Sequence, residues 1–479
     1  MKEQSYNWRY LLSICLISAM GGLLFGYDYV VIGGAKPFYE PYFGITGNPA
    51  MQGWAMSCAL IGCLGGAVLS GWLSDRFGRK RLLILSAAIF VSASLGTGGA
   101  GSFGSFVFFR ILGGIGIGLA SNLSPMYIAE VTPGKVRGAF VSINQLTIVI
   151  GILAAQVINW RIARPVPADA TIADILASWN GQTGWRWMFY ACTIPAALFF
   201  ILMWFVPESP RWLVKNEKGK QKARSILAKI GGDDYADSEI DSIEETLVSR
   251  LRKTSFRIIK EPGIKKLLVL GIVLAVFQQW CGINVIFNYA QEIFANAGYS
   301  VSDTLFNIVI TGSVNLVFTF VGMFAVDKLG RKALMLIGAG GLACIYAVVG
   351  LMYFTGIQGL PLLIMVVSAI ACYAMTLAPV TWVILSEIFP NRMRGLAMSV
   401  ATFALWSACF ILTYTFPILN QLLKASGTFW LYGFICVLGF WFIFKKLPET
   451  KGKSLEEIER GTALRRDGMT APFDGAGGG

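Results

Sequence analysis

Two charged residues stand inside apolar stretches where charge is costly. Asp28 sits in Phe25-Gly26-Tyr27-Asp28, within an apolar run near 10–32, and Arg110 lies in another near 106–129. No other acidic or basic residue falls well inside a predicted span. A charge at the centre of a bilayer costs about 2.5–3.5 kcal/mol on insertion scales, so each must face a cavity or the other. Asp28 can then be a proton switch, ionised beside Arg110 and freeing two helices when protonated. Alternatively, the two form a permanent salt bridge that ties the first and fourth spans. The chain has no histidine, so the commonest side chain that titrates near neutral pH is absent. Any proton carried within the spans must ride on a carboxylate.

Amides are the second group with chemistry to offer. Gln145, Gln156, Gln278, Gln279, Asn284, Asn288 and Asn315 all lie in apolar runs. Burying such groups is expensive unless they are paired. Gln145 and Gln156 are about three helical turns apart and share a face, and Asn284 and Asn288 share one at i,i+4. Planar amides both donate and accept, which suits a hydroxyl-rich ligand when aromatics stack beside them. Amides also join membrane helices to one another, and for a single amide that is the stronger claim.

The third group is a set of charged motifs that occur twice. Asp75-Arg76-Phe77-Gly78-Arg79-Lys80 is answered by Asp327-Lys328-Leu329-Gly330-Arg331-Lys332. Glu130 with Arg137-Gly138 is answered by Glu387 with Arg394-Gly395, and Pro207-Glu208-Ser209-Pro210-Arg211 by Pro448-Glu449-Thr450-Lys451-Gly452. Three motif pairs in the same order mark a duplicated unit of six helices. Asp75, Arg76, Arg79, Glu130, Arg137, Asp327, Arg331, Glu387 and Arg394 fall at span ends. They can form a gate of salt bridges between the halves, or serve as topology signals and helix-end charges. Exposed pairs contribute only about 0–1 kcal/mol each, so a gate needs them as a network.

The elements that must hold these residues are membrane helices. The 479-residue chain is 55% hydrophobic and 14% charged, with a mean hydropathy of +0.62; soluble domains carry about 25% charged residues. Continuous apolar runs of about 20 residues span a hydrocarbon core, and lipid leaves only helices or closed barrels as options. The predicted spans lie near 10–32, 52–73, 82–99, 106–129, 139–160, 187–206, 264–290, 304–326, 333–355, 360–385, 396–420 and 427–444. Lys36, Arg161, Arg164, Arg186 and Lys424 fall on one side, and apart from Arg110 the remaining basic residues fall on the side of both termini. The positive-inside rule places that side in the cytoplasm. The net charge of +13 is thus a topology signal with anionic lipid headgroups as partners, and no nucleic acid is expected. The first run is too long for a signal peptide and is the first span. The organisation expected is a bundle at 1–206, a cytoplasmic helical linker at 207–263, a second bundle at 264–447 and a tail at 448–479. Helices are expected in the linker near Lys218–Lys229 and Ser238–Lys253, and the glycine-rich tail should be disordered. Gly62/Gly66 and Gly114/Gly118 make close-packing seams, and Gly282 and Pro379 interrupt the seventh and tenth spans.

With the duplicated loops, PESPRWL at 207–213, PETKG at 448–452 and FQQWCGIN at 277–284, the chain resembles the sugar porters of the major facilitator superfamily over residues 8–460. The run at 123–145 is most similar to the proton-coupled xylose type. The resemblance implies twelve transmembrane helices in two six-helix bundles, with inverted 3+3 repeats around a central cavity. It also implies proton-coupled uptake of a pentose or hexose, D-xylose first, by alternating access. Asp28 facing Arg110 matches the acid and arginine of the proton-coupled members, where passive glucose facilitators typically carry Asn in place of the acid. Phe25, Gln145, Gln278, Gln279, Asn284, Asn315, Trp382 and Trp406 match the sugar-contacting positions, and the duplicated charges match a cytoplasmic gate. Leu405 departs from the Gln of xylose-type members, and Asn288 from the Tyr of many others. The alternatives are a proton-independent uniporter of the same fold and a polyol:proton symporter.

The same residues weigh against other classes. The nine cysteines are scattered, mostly in apolar runs, without metal-ligand spacing, so no metal site or disulfide framework is expected. The spans hold no nucleophile–base pair and the chain has no P-loop, so neither an intramembrane enzyme nor an ATP-driven pump is expected, and no cofactor. A nutrient sensor on this fold would carry a longer cytoplasmic extension than the tail after Pro448. The expectation is a monomer in the inner membrane.

Overall fold

The computed structural model describes residues 6–134, 136–167, 170–216, 219–250, 262–389 and 394–449, and every regular element among them is helical. Helices α1 (Trp8–Tyr42), α2 (Pro49–Phe77), α3 (Arg79–Gly98), α4 (Phe103–Val131) and α5 (Arg137–Ile162) are each long and apolar enough to span a bilayer. After α6 (Ile172–Ala177), the sixth crossing consists of a π-helical turn at Asn180–Gly184, α7 (Trp185–Ala191) and α8 (Thr193–Met203). Three short polar helices follow: α9 (Pro210–Lys215), α10 (Lys220–Gly231) and α11 (Asp233–Arg250). The seventh crossing is α12 (Pro262–Trp280), α13 (Ile283–Asn288) and α14 (Ala290–Asn296). The eighth and ninth are α15 (Val301–Leu329) and α16 (Arg331–Thr355), and the tenth is α17 (Leu360–Met375) with α18 (Leu377–Ile388). Helix α19 (Arg394–Lys446) holds the eleventh and twelfth, separated by Lys424 at φ 58°, ψ 174°.

Local sequence explains where the helices begin. Asn7, Asn48 and Ser300 cap α1, α2 and α15 by accepting from the backbone N–H of Tyr10, Met51 and Asp303. Ser102 and Ser105 cap α4 reciprocally. Helices α3 and α16 lack such caps, and each follows a left-handed glycine, Gly78 at φ 91° and Gly330 at φ 87°. Their exposed N–H groups are met from a distance. Glu208 Oε1 accepts from the N–H of Arg79 (2.9 Å) and Lys80 (3.1 Å), and Glu449 accepts from those of Arg331 (3.0 Å) and Lys332 (3.1 Å). A Cβ on Gly78 would lie 2.3 Å from Glu208 Oε2. The duplicated loops and the PES and PET motifs are therefore one device used twice: a carboxylate seated on a helix N-terminus.

The first expected span ends ten residues short of the helix. Pro37 and Pro41 lie inside α1, and its continuation carries Lys36 and Glu40 into buried positions. Lys36, which the charge count placed in an outer loop, is 3% exposed and ion-paired. Asp28 and Arg110 are thus not the only charges buried among the helices; a lysine can stay inside when carboxylates surround it. The two expected interruptions both occur. Gly282 adopts φ 86° between α12 and α13. The tenth crossing breaks at Thr376 (φ −119°, ψ −85°), upstream of Pro379, because a proline ring clashes with the carbonyl four residues before it. The linker helices lie at Lys220–Gly231 and Asp233–Arg250. Most of the expected tail, from residue 450, lies outside the described residues. Seven cysteines are buried or nearly so, Cys372 is half-buried and Cys344 is exposed.

In the first half, α1 packs on α4 and α5, α2 on α4, and α3 on α4 and α8; in the second, α12 and α16 pack on α19, and α15 on α17. The halves meet where α2 touches α19, α5 touches α15, and α1 touches α13 and α14. The seam between α2 and α4 depends on glycine. A Cβ on Gly114 would lie 1.9 Å from the Ala59 carbonyl oxygen, and one on Gly62 would lie 2.1 Å from that of Ile111. Apolar side chains such as Ile194, Phe205, Phe324 and Phe354 are exposed around the bundle, as lipid-facing residues must be. Gly114→Val should destabilise the fold by about 1–3 kcal/mol, while Gly101→Ala, with open space at its Cα, should not. Thermal unfolding in detergent checks both.

Candidate functional site

The buried charge at the centre comes from α1 and α4. Arg110 Nη1 donates to Asp28 Oδ1 at 2.7 Å, with Asp28 8% and Arg110 3% exposed. The contact is end-on. Among the described residues Asp28 Oδ2 and Arg110 Nε have no hydrogen-bond partner, and the guanidinium lies 5.8 Å from the centre of the Phe189 ring. A narrow cavity of about 10 Å³ adjoins the pair, lined by Phe25, Asp28, Tyr29, Cys63, Arg110 and Asn288. That is room for about one water. A carboxylate with one oxygen committed to a cation and the other free can gain or lose a proton without first leaving its partner.

The cavity is also a junction between halves. Asn288 Nδ2 donates to Tyr29 Oη at 3.1 Å, and Tyr29 Oη lies 3.6 Å from Cys409 Sγ. Phe25 meets Trp406 at 5.5 Å between ring centres, so α1 presents an aromatic to α19 one turn from the acid. Asn288, one of the two departures, here contributes to the acid's surroundings; the other, Leu405, is buried.

Three of the intramembrane amides bond to one another. Gln279 Nε2 donates to Gln278 Oε1 at 3.0 Å, and Asn284 Nδ2 donates to Gln279 Oε1. These three form one chain across the break at Gly282. Gln145 is half-buried on α5, Asn315 is buried on α15, and Trp382 is 37% exposed on α18. No hydrogen bond among the described residues joins their side chains to that chain. Gln156 is buried with both amide atoms unpartnered among the described residues, and a Cβ on Gly312 of α15 would lie 1.8 Å from its Oε1. An unsatisfied amide wedged between halves seeks water or a ligand hydroxyl. The sequence showed Gln156 as an intramembrane amide, but only its missing partners single it out.

The motif charges gather at the end of the bundle where α1 begins and α19 ends. Arg79 grips Glu130 with two bonds, Nε to Oε2 at 3.0 Å and Nη2 to Oε1 at 2.9 Å, and reaches Asp75 at 3.5 Å. Ser209 Oγ donates to the same Glu130 at 2.5 Å. In the second half Arg331 pairs with Glu387 at 2.9 Å. Each of these pairings joins helices of one half. Arg76 is exposed over the rings of Trp72 and Phe77, and Arg137 is exposed at the start of α5. The side chains of Asp327 and Arg394 lie outside the described residues. Glu208 and Glu449, which complete these clusters, were visible in the sequence as repeated motifs without an assigned role.

The chain matches the sugar (and other) transporter family over residues 14–461. It is 40% identical to the D-xylose-proton symporter of Escherichia coli, over 95% of this chain and 96% of that protein. It is 36% identical to the arabinose-proton symporter of Bacillus subtilis, over 95% and 96% respectively. Its structure is similar to the inward-open conformation of the E. coli xylose transporter, with a TM-score of 0.82 and 37% identity over 94% of this chain and 99% of that one. A duplicated all-helical bundle that buries an ion pair between α1 and α4, and a match along nearly its whole length, leave one conclusion: this chain is a multi-pass membrane protein of the sugar transporter family, with the major facilitator fold.

Proposed function

We propose that the chain is a proton-coupled monosaccharide symporter working by alternating access, with D-xylose or a related pentose or hexose as cargo. The observation that carries this reading is the end-on Asp28–Arg110 pair, whose second carboxylate oxygen has no partner among the described residues, in a chain without histidine. Asp28 carries the proton. Ionised, it holds α1 to α4; neutralised, it releases Arg110 and lets the two helices shift. The names of the D-xylose and arabinose relatives support the substrate class. Phe25 and Trp406 supply the stacking faces, and Gln278, Gln279 and Asn284 the hydroxyl-binding amides. Gln145, Asn315 and Trp382 are assigned to the same site, joined by Gln156. No covalent step, cofactor or metal is called for.

The distribution of Lys and Arg puts both termini, and the motif charges with them, in the cytoplasm of the inner membrane, where anionic headgroups meet the basic loops. A monomer suffices for this mechanism. Asp75, Arg76, Arg79, Glu130, Arg137, Asp327, Arg331, Glu387 and Arg394 form the cytoplasmic gate. The pairing of Arg79 with Glu130 and of Arg331 with Glu387 inside their own halves suits a state with that gate open, as does the likeness to an inward-open structure.

Uptake into proteoliposomes with and without an imposed pH gradient tests the coupling. Wild type should accumulate sugar only with the gradient, whereas gradient-independent transport would make the chain a uniporter. Asp28→Asn should lose accumulation yet retain sugar counterflow; loss of binding instead would assign Asp28 to the sugar site or to folding. Arg110→Gln leaves a buried carboxylate without its cation and should cost about 3–5 kcal/mol in thermal stability, with most of it recovered in the Asp28→Asn/Arg110→Gln double variant. Gln279→Ala should raise the sugar Kd about two- to tenfold, the equivalent of one hydrogen bond, in a calorimetric titration.

A further inference from the structure

A second cluster of buried charge lies two helical turns beyond Asp28 on α1, at the end of the bundle remote from the start of α1. Lys36 Nζ pairs with Glu40 Oε1 on its own helix at 3.4 Å, and with Glu292 Oε1 on α14 of the other half. Gln52 of α2 donates to Glu40 Oε2 at 2.9 Å, and the Tyr289 ring lies 5.2 Å from the ammonium. Tyr289 Oη in turn donates to the Thr413 carbonyl of α19 at 2.6 Å. Lys36 is 3% exposed, Glu40 nearly as buried, and the Glu292 side chain 22% exposed. The groups facing Lys36 are thus two carboxylates and one aromatic face, with Gln52 supporting Glu40.

This end is where the halves are drawn together. The backbone N–H of Val166 donates to Ser302 Oγ at 3.0 Å, and Trp160 meets Phe306 at 5.6 Å, both contacts crossing from the first half to the second. The Lys36–Glu292 pair also crosses, whereas the Arg79–Glu130 and Arg331–Glu387 pairs at the opposite end do not. We infer that Lys36, Glu40 and Glu292 form a charged clasp that holds α14 against α1 and sets how readily this end of the transport path opens; the inference rests on the alternating-access reading above. Lys36 is a positioning residue, distant from sugar and proton.

The asymmetry of the cluster explains why it can serve as a reversible closure. An apolar seam resists opening in proportion to the area exposed to water. An ion pair that opens into water exchanges its partner for hydration, so the net cost of separation is small. Glu40 sits one turn from Lys36 on the same helix and stays with it in either state. The lysine is therefore never buried without a counter-charge when α14 swings away, and the two carboxylates are separated when it does.

Backbone hydrogen exchange of the full chain in nanodiscs, without sugar or pH gradient, tests the clasp independently of proton coupling. Lys36→Gln and Glu292→Gln should each raise exchange in residues 36–42 and 290–296 at least about tenfold, the equivalent of 1.4 kcal/mol. Exchange at the cytoplasmic ends of α4 and α5 should fall as the opposite gate closes. The exchanged pair, Lys36→Glu with Glu292→Lys, keeps one cation between two acids and should restore protection at both ends. Unchanged exchange in the single variants would overturn the inference. So would a loss of protection through all helices that the exchanged pair fails to reverse, because the pair would then be a fold-wide support.

Discussion

A charge carried inside a membrane helix must be met by a partner on another helix, since lipid offers neither water nor counter-ion. Much of the assembly follows from that demand. Asp28 and Arg110 bind α1 to α4 near the middle of the first half, and Arg79 with Glu130 binds the start of α3 to the end of α4. Lys36 with Glu292 binds α1 to α14 across the halves. In each case the apolar surroundings make the pairing obligatory, and the pairing dictates which helices are neighbours. Glycine faces such as Gly62 and Gly114 then let those neighbours approach to backbone contact.

Helix α1 has an unusual share of this work. Along one helix it presents Phe25 to Trp406, Asp28 to Arg110, Tyr29 to Asn288 and Lys36 to Glu292. Three of those four partners belong to the second half. A change in charge at Asp28 is thus a change on a helix whose own side chains bond to the other half. Breaks at Gly282 and Thr376 leave the facing helices in short segments, so α13, α14 and α18 can move as separate pieces.

The duplicated motifs have a structural meaning of their own. Glu208 and Glu449 each place a carboxylate on the N-terminus of a helix that no neighbouring residue caps, and each reaches it past a glycine that must lack a side chain. Loop and sixth-helix end are therefore tied to each other in both halves. At the end of each half, the helix start and the segment after the sixth crossing are thus joined by hydrogen bonds.

By itself the sequence determined the class, the number of crossings, the duplication and the cost of Asp28 and Arg110. Those features depend on hydrophobic run length, charge placement and repetition, all of which are local or periodic. It also marked Gly282 and Pro379 as breaks, because backbone chemistry there is decided by the residue itself. Only the tertiary structure decided that Lys36 and Glu40 lie within a longer α1: whether a charge is inside depends on a partner, and Glu292 is far away in the chain. The same holds for the empty second oxygen of Asp28, the unpartnered amide of Gln156 and the carboxylate caps at Glu208 and Glu449. Each is defined by what stands, or fails to stand, within about 3 Å of an atom. Residue type and spacing determine which groups could act; packing between distant segments decides which of them are left free to do so.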